Sequence, residues 1–118
     1  MKLADILTEI EAEVKCCESS LDRDVDWCYC SDLLSDVMAN SAKNSVWITM
    51  QTHHNTIAVA TLVGLSAILV SRGAVPNEDT IEKATRENIP VLTTKLPTFE
   101  AAGRLYSLLN AENPKNLK

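Results

Sequence analysis

The regular alternation of strand-like and helix-like segments from about residue 25 onward is the feature that most restricts the fold of this chain. Short apolar runs, alternating or β-branched, predict strands at 25–30, 46–50, 67–70 and 91–93. Each run is followed by a stretch typical of a helix, beginning near residues 32, 56, 78 and 98. This order builds a parallel sheet covered on both faces by right-handed crossover helices. The sequence therefore predicts an α/β three-layer sandwich with a mainly parallel sheet.

Three local interpretations accompany this scheme. The apolar spacing over residues 3–10 predicts a short amphipathic helix. Ser31 is the predicted N-cap of the helix that begins near residue 32, and Met38 is expected among the buried residues of that helix. Residues 56–63 suit a helix or a strand by propensity. A helix is favoured because Gly64 stands where a glycine would end it, and because 67–70 is the stronger strand.

The length and composition are those of one folded domain. The chain has 118 residues, of which 46% are hydrophobic and 23% charged. These values are ordinary for a globular protein and argue against a disordered tail or a charged linker. A single domain over residues 1–110 is predicted, followed by a polar tail over residues 111–118.

Glycine is scarce, which excludes two common phosphate-binding motifs. The three glycines stand at positions 64, 73 and 103. Neither the dinucleotide pattern G-x-G-x-x-G nor a Walker loop ending in G-K-[ST] can be written with them. Any phosphate-binding site in this chain must therefore use a different arrangement.

Acidic residues are concentrated in the first third of the chain. Residues 1–40 hold ten acids and three bases, whereas residues 41–118 hold six acids and eight bases. Nucleic acids and anionic membranes are bound through clustered Lys and Arg side chains, which are absent here. Neither nucleic acid nor a membrane surface is therefore a predicted partner.

The distribution of apolar residues predicts a cytoplasmic protein. Acids occur within the first five residues, and no uninterrupted apolar segment follows, so no secretory signal is expected. The longest weakly polar run, over residues 56–70, is shorter than the roughly 20 residues that a membrane helix needs. That run is better interpreted as part of the core.

The four cysteines, at positions 16, 17, 28 and 30, lack the spacing of a zinc site. The favoured interpretation is that they are small, partly buried apolar side chains. The adjacent pair His53 and His54 has no acidic partner at a recognisable spacing. No metal site is assigned from the sequence, and a cysteine and histidine metal or redox site stays an alternative.

Polar residues follow each predicted strand, and in an open parallel sheet these positions meet at one edge, where ligands bind. Hydroxyls, cations and helix N-termini at that edge suit a phosphate or a nucleotide. The candidate ligand-binding residues are Ser31, Asp32, Thr49, Thr52, Asn55, Arg72, Thr93, Thr94 and Lys95. No set of nucleophile, base and acid can be assembled, so no catalytic residue is predicted and an enzyme is not favoured. The sequence implies no particular cofactor.

Several blocks of the chain form a recognisable series in order: residues 21–25, 31–37, 71–73, 76, 89–95 and 99–101. Together they resemble the stand-alone DRTGG-domain proteins of anaerobic bacteria and archaea. The resemblance implies an α/β fold similar to the N-terminal domain of HPr kinase, without the catalytic domain of the kinase. It also implies a regulatory role, because related domains are fused to CBS modules, family II pyrophosphatases and phosphotransacetylases, and some stand-alone members accompany iron-only hydrogenase genes.

The chain departs from this family in the turn that follows the second predicted strand of the alternation. Members tend to carry a glycine there, in sequences such as T-G-G-D-R or T-G-L-T-N, whereas this chain has Met50. Thr49 and Asn55 can be matched to the motif. A side chain at position 50 would obstruct a ligand that approached the backbone of this turn closely.

The resulting prediction is a non-enzymatic regulatory or accessory domain, a homodimer, that binds a small anionic ligand at the carboxyl edge of the sheet. Two alternatives stay open. One is a protein-interaction module that docks an electropositive partner through its acidic first third. The other is a metal or redox site in a hydrogenase-related system.

Overall fold

A five-stranded, mainly parallel sheet forms the centre of the protein. The structure is a computed structural model, and it describes residues 1–112. The strands are β1 (Glu13–Val14), β2 (Trp27–Cys30), β3 (Ser45–Thr49), β4 (Ala67–Val70) and β5 (Val91–Thr93), in the spatial order β1-β5-β4-β3-β2. Strands β2 to β5 pair in parallel, and β1 pairs antiparallel with β5. The helices are α1 (Leu34–Asn40), α2 (Asn55–Val63), α3 (Glu78–Glu87) and α4 (Thr98–Glu112).

Two hydrophobic clusters cover the two faces of the sheet and confirm the three-layer architecture. Successive residues of a strand point to opposite faces, so Val46 and Ile48 belong to one cluster, while Trp47, between them, belongs to the other. The first cluster contains the apolar side of α4 and buried residues of the amino-terminal segment. The second contains the buried apolar residues of α1, α2 and α3. Because both faces are covered, every residue of β3 and β4 is buried.

The amino-terminal segment is apolar as predicted but is not an α-helix. Its regular part is a short 3-10 helix, Leu3–Ile6. The N–H groups of Leu3 and Ala4 donate to the carbonyl oxygens of Arg23 and Leu21. These tertiary hydrogen bonds hold the segment against the chain that precedes β2, and Leu3 and Ile6 are fully buried.

Helix α1 differs from its prediction in its N-cap and in the burial of Met38. It begins at Leu34, and Ser31 does not cap it, because the Ser31 Oγ accepts a hydrogen bond from the N–H of Leu33, before the helix starts. Met38 is 46% exposed rather than buried. A helix of only seven residues turns one fully buried residue, Val37, toward the second cluster.

The end of α2 and the extent of α4 concern two further predictions. Gly64 ends α2 with a left-handed φ of 82°, and its N–H donates to the carbonyl of Ala60, so residues 56–63 are helical as predicted. Helix α4 continues through Glu112, two residues into the predicted polar tail. The remaining residues of that tail, 113–118, lie outside the described part. Within residues 1–112, no helix combines the length and the apolar character needed to span a bilayer.

Candidate functional site

The carboxyl ends of β2 to β5 lie along one edge of the sheet, as their parallel pairing requires. A cleft of about 280 Å³ opens at the β1 and β5 end of this edge. Three short segments line it: residues 11–15, which include β1, the loop after β4, and the end of β5 with the residues that follow it. The lining residues are Glu11, Glu13, Lys15, Gly73, Ala74, Val75, Pro76, Thr93, Thr94 and Lys95.

The cleft unites three of the nine predicted ligand-binding residues, Thr93, Thr94 and Lys95. The hydroxyl of Thr94 is engaged internally, since it donates to the carbonyl of Ile10 at 2.7 Å and accepts from the N–H of Leu96 at 3.2 Å. The Thr93 hydroxyl makes no hydrogen bond within residues 1–112. Thr93 and Lys95 are therefore the predicted residues whose polar groups are available in the cleft.

Among the charged residues that line the cleft, Lys95 is the one cation outside an ion pair within residues 1–112. The Lys15 Nζ lies 2.7 Å from Glu13 Oε1, and Arg104 lies 3.0 Å from Glu11 Oε2. The hydrogen bond from Lys15 is the main reason why the pKa of Glu13 lies below its ordinary value, and the nearby Lys95 charge adds to the effect. Lys95 itself forms no ion pair with any residue between 1 and 112.

At the other end of the edge, beside β2 and β3, the carboxylate of Asp32 is hydrogen-bonded to the loop that follows β3. Its Oδ1 accepts hydrogen bonds from the Thr49 hydroxyl at 2.7 Å and from the Met50 N–H at 2.8 Å. The Gln51 side chain donates to the Asp32 carbonyl, and the Gln51 N–H donates to the Thr49 hydroxyl. The loop after β3 thus already holds a negatively charged group of its own chain. Ser31 stands beside it, and its carbonyl accepts from the Trp47 indole.

Met50 occupies the family's glycine position without backbone strain. It is absent from the residues with a left-handed φ, so this turn does not require glycine here. Its side chain is 40% exposed. The Met50 N–H donates its hydrogen bond to Asp32 Oδ1 and is therefore not available to a ligand.

Arg72 lies in the loop after β4 with a left-handed φ of 60°, followed by Gly73 with a φ of 71°. The N–H groups of Arg72 and Gly73 donate to the carbonyls of Leu96 and Thr94, and the N–H of Ala74 donates to that of Ser71. The backbone amides of this turn are therefore used inside the protein. The exposed guanidinium of Arg72 is the group of this turn that is available to a ligand. Arg72 directly precedes Gly73, which lines the cleft.

Thr52 and Asn55 stand in the connection between β3 and α2, outside the lining of the cleft. The carbonyl of Thr52 accepts from the Asn77 N–H and from the Thr80 hydroxyl, which ties this loop to the start of α3. Asn55 begins α2, and its N–H donates to Nδ1 of His53. The rings of His53 and His54 lie 4.1 Å apart. Among the described residues, no three His, Cys, Asp or Glu side chains form a group that could hold a metal ion.

The four cysteines are free thiols with different environments. Cys16 is buried, and Cys17 donates to the carbonyl of Ala84. Burial raises the pKa of Cys17 to about 11. At the edge strand, a hydrogen bond from Cys28 lowers the pKa of the exposed Cys30 thiol and raises that of Cys28.

We expect Cys30 to react with iodoacetamide at least about tenfold faster than Cys17 near pH 8, because the thiolate is the reactive form. A pKa of about 11 leaves only about 0.1% of Cys17 ionised at that pH. Mass spectrometry of peptides from briefly alkylated protein measures both rates. The Cys30→Ser variant should lose the fast reaction, and equal labelling of Cys17 and Cys30 would contradict the expectation.

Three residues that line the cleft were not predicted from the sequence: Glu11, Glu13 and Lys15, in and beside β1. Glu11, Glu13 and Lys15 line the cleft because β1 runs antiparallel to β5, which places the start of β1 beside the end of β5. The alternating charges of this segment were the available signal, since they mark a strand with one solvent-facing side.

A three-layer α/β domain with a cleft at the carboxyl edge of its sheet is thus the class of protein that the fold and the site define. A family model described as the DRTGG domain matches residues 5–108. The chain therefore belongs to the DRTGG-domain family. No similar sequence was found among curated proteins.

Among solved structures, the chain is similar to the CBS and DRTGG domains of the regulatory region of Clostridium perfringens pyrophosphatase, described as complexed with the activator diadenosine tetraphosphate. The TM-score is 0.64 at 20% sequence identity. The match covers 88% of this chain and 45% of the other, so this chain spans less than half the length of that regulatory region. The likeness shows a shared fold.

Proposed function

We propose that this protein is a non-enzymatic regulatory or accessory domain that binds a small anionic ligand, a phosphate or a nucleotide, in the cleft beside Lys95. The observation that carries the proposal is the combination of a cleft with a lysine, Lys95, that forms no ion pair within residues 1–112. The regulatory part is supported by the family and by a structural relative described as the regulatory region of a pyrophosphatase.

The residues around the cleft suit an anion of limited size. Lys95 supplies a full positive charge, the Thr93 hydroxyl can donate, and Lys15 can turn from Glu13 to a more strongly charged ligand. A volume of about 280 Å³ lies just below the range of pockets that enclose drug-sized ligands. The cleft therefore fits a phosphate, an acyl phosphate or the phosphate end of a nucleotide better than a whole dinucleotide.

The remaining predicted residues have different expected roles. We assign Arg72 to the part of a ligand that extends beyond the cleft, because it directly precedes the lining residue Gly73. Five other predicted residues lie farther along the edge, and polar groups of these residues form hydrogen bonds within and between loops. They are Ser31, Asp32, Thr49, Thr52 and Asn55. We assign contact with the ligand to Thr93, Lys95, Lys15 and Arg72.

Isothermal titration with inorganic phosphate, acetyl phosphate, AMP and ATP tests this function. At least one of these ligands is expected to bind, and Lys95→Ala should weaken its binding about tenfold or more, because a charged hydrogen bond to the anion is lost. Lys95→Glu should abolish binding.

The matched control is Lys43→Ala, since Lys43 is an exposed lysine that precedes β3, at the opposite edge of the sheet. This variant should bind as the unchanged protein does. Absence of binding by all four ligands, or equal binding by the Lys95 variants, would overturn the proposal.

A further inference from the structure

The four cysteines form two pairs along the chain, and the structure gives the pairs different surroundings. The Sγ atoms of Cys16 and Cys17 lie 3.7 Å apart, but Cys16 is buried and both thiols donate to carbonyl oxygens. Cys28 and Cys30 belong to the edge strand β2, where Cys30 is exposed and Cys28 is partly exposed. Within residues 1–112, neither of these two thiols donates to a carbonyl oxygen. The pair in β2 is therefore the one that solvent can reach.

The register of β2 places Cys28 and Cys30 on the same face of the sheet. Cys28 pairs with Val46 and Cys30 pairs with Ile48, and both partners belong to the first cluster. Successive residues of a strand point to opposite faces, and Tyr29, between the two cysteines, packs against the second cluster. The two thiols therefore lie side by side on the face that α4 covers.

The spacing of the two cysteines along β2 allows a bond between their sulfur atoms. Alternate residues of an extended strand have Cα atoms about 6.6 Å apart. Disulfides join residues whose Cα atoms are about 4.4–6.8 Å apart. The separation lies near the upper limit, so a disulfide between Cys28 and Cys30 shortens the strand slightly and is readily reduced again. Strand β2 can bend in this way because it lies at the edge of the sheet.

The two thiols differ in acidity, which gives each a separate role. The hydrogen bond between them lowers the pKa of Cys30, and the same bond, together with burial, raises the pKa of Cys28. Cys30 therefore forms a thiolate more easily, and a thiolate is the form that attacks a disulfide. Cys30 is also the more exposed of the two, so a small molecule in solution reaches it first.

We propose that Cys28 and Cys30 are a redox-active thiol pair, which a small disulfide converts reversibly into an internal disulfide. The Cys30 thiolate attacks one sulfur of the small disulfide, forms a mixed disulfide with it, and releases the other half as a thiolate. Cys28 then loses its proton to solvent, and its sulfur attacks Cys30 Sγ, which releases the second half. The net reaction oxidises two cysteine thiols to one disulfide and reduces the small disulfide to two thiols.

The charge beside Cys30 favours a cationic disulfide as the reaction partner. Asp32 follows Cys30 by two residues, and its carboxylate partly offsets the effect of Cys28 on the pKa of Cys30. This carboxylate attracts a positively charged reagent and repels an anionic one such as oxidised glutathione. Cystamine, which carries an ammonium group on each half, is therefore the probe used to test the proposal.

Tryptic peptides of protein treated with cystamine test the proposal. Cleavage after Lys15, Arg23 and Lys43 separates the first cysteine pair, in residues 16–23, from the second pair, in residues 24–43. After free thiols are blocked with N-ethylmaleimide, mass spectrometry should show that the 24–43 peptide has lost two hydrogen atoms and carries no cysteamine. This peptide should oxidise at least about tenfold faster than the 16–23 peptide, which is the internal control. Dithiothreitol should restore both thiols.

Three variants separate the roles of the residues. Cys28→Ser should stop at a mixed disulfide on Cys30, and Cys28→Ala should do the same if serine at this partly buried position prevents folding. Cys30→Ser should react with cystamine at least about tenfold more slowly, because the exposed thiolate is lost. Lys95→Ala should oxidise as the unchanged protein does, which separates this proposal from the ligand cleft.

Three results would overturn the proposal. A mixed disulfide that persists on Cys30 of the unchanged protein would show that Cys28 does not reach it. Equal oxidation of the two peptides would remove the distinction between the two cysteine pairs. A disulfide-linked dimer in electrophoresis without a reducing agent would show that Cys30 pairs between two copies of the chain instead of with Cys28.

Discussion

Replacing Trp47 with alanine is expected to lower the free energy of unfolding by about 3–5 kcal/mol. Trp47 lies in the middle of β3, is fully buried, and packs in the cluster that contains Val37 and Ile57. Its removal leaves a large cavity that neighbouring helices can fill only in part. The indole N–H also loses its 2.7 Å hydrogen bond to the carbonyl of Ser31. Urea denaturation followed by circular dichroism measures the loss.

Two further variants make this experiment interpretable. Trp47→Phe keeps most of the buried ring and removes the indole donor, so its loss should be smaller, about 1–3 kcal/mol. This variant still reports on the site if Trp47→Ala does not fold. Trp27→Ala is the matched control, because Trp27 is only partly buried, against Tyr106. A loss for Trp47→Ala no greater than that for Trp27→Ala would contradict the expectation.

Asp32→Ala is expected to lower the free energy of unfolding by about 1–3 kcal/mol, although the residue is exposed and stands in a loop. The variant removes the acceptor of two hydrogen bonds, from the Thr49 hydroxyl and the Met50 N–H. Thr49 is buried, so its hydroxyl would lose its carboxylate partner without gaining full access to water. Urea denaturation of the variant and of the unchanged protein gives the difference.

The contrast between alanine and asparagine at position 32 separates the hydrogen bonds from the charge. Asn retains an acceptor oxygen of nearly the same geometry, so Asp32→Asn should recover most of the stability that Asp32→Ala loses. Ser35→Ala is a suitable neutral comparison, since Ser35 is an exposed residue of α1. If Asp32→Ala and Ser35→Ala were equally stable, the carboxylate would not fix the loop as described.

The repeating part of the fold is predictable from the sequence because each element leaves its own periodic pattern. The run at 46–48 is apolar at each position, as expected for a strand covered on both faces, and Gly64 and Asn77 mark helix boundaries. Strand β1 has only two residues, and the alternating charges over residues 11–15 indicate an extended segment but not its antiparallel pairing with β5.

The site is less predictable than the fold for a related reason. Parallel topology places all the strand ends at one edge, which is enough to select Thr93 and Lys95. It does not tell which of these residues use their polar groups internally. Thr94 and Asp32 are polar residues of the same kind of loop, yet each bonds within the chain. Their partners, such as the Ile10 carbonyl, are remote in sequence and leave no local signal.

The different surroundings of the two tryptophans give this protein two built-in optical probes. Trp47 is fully buried in the core, whereas Trp27 lies on the edge strand β2, is partly exposed, and contacts the ring of Tyr106. A soluble quencher such as iodide should reach Trp27 and leave Trp47 emitting at short wavelength. In the Trp47→Phe variant, emission comes from Trp27 alone, so changes around β2 can be followed without attaching a dye to the protein.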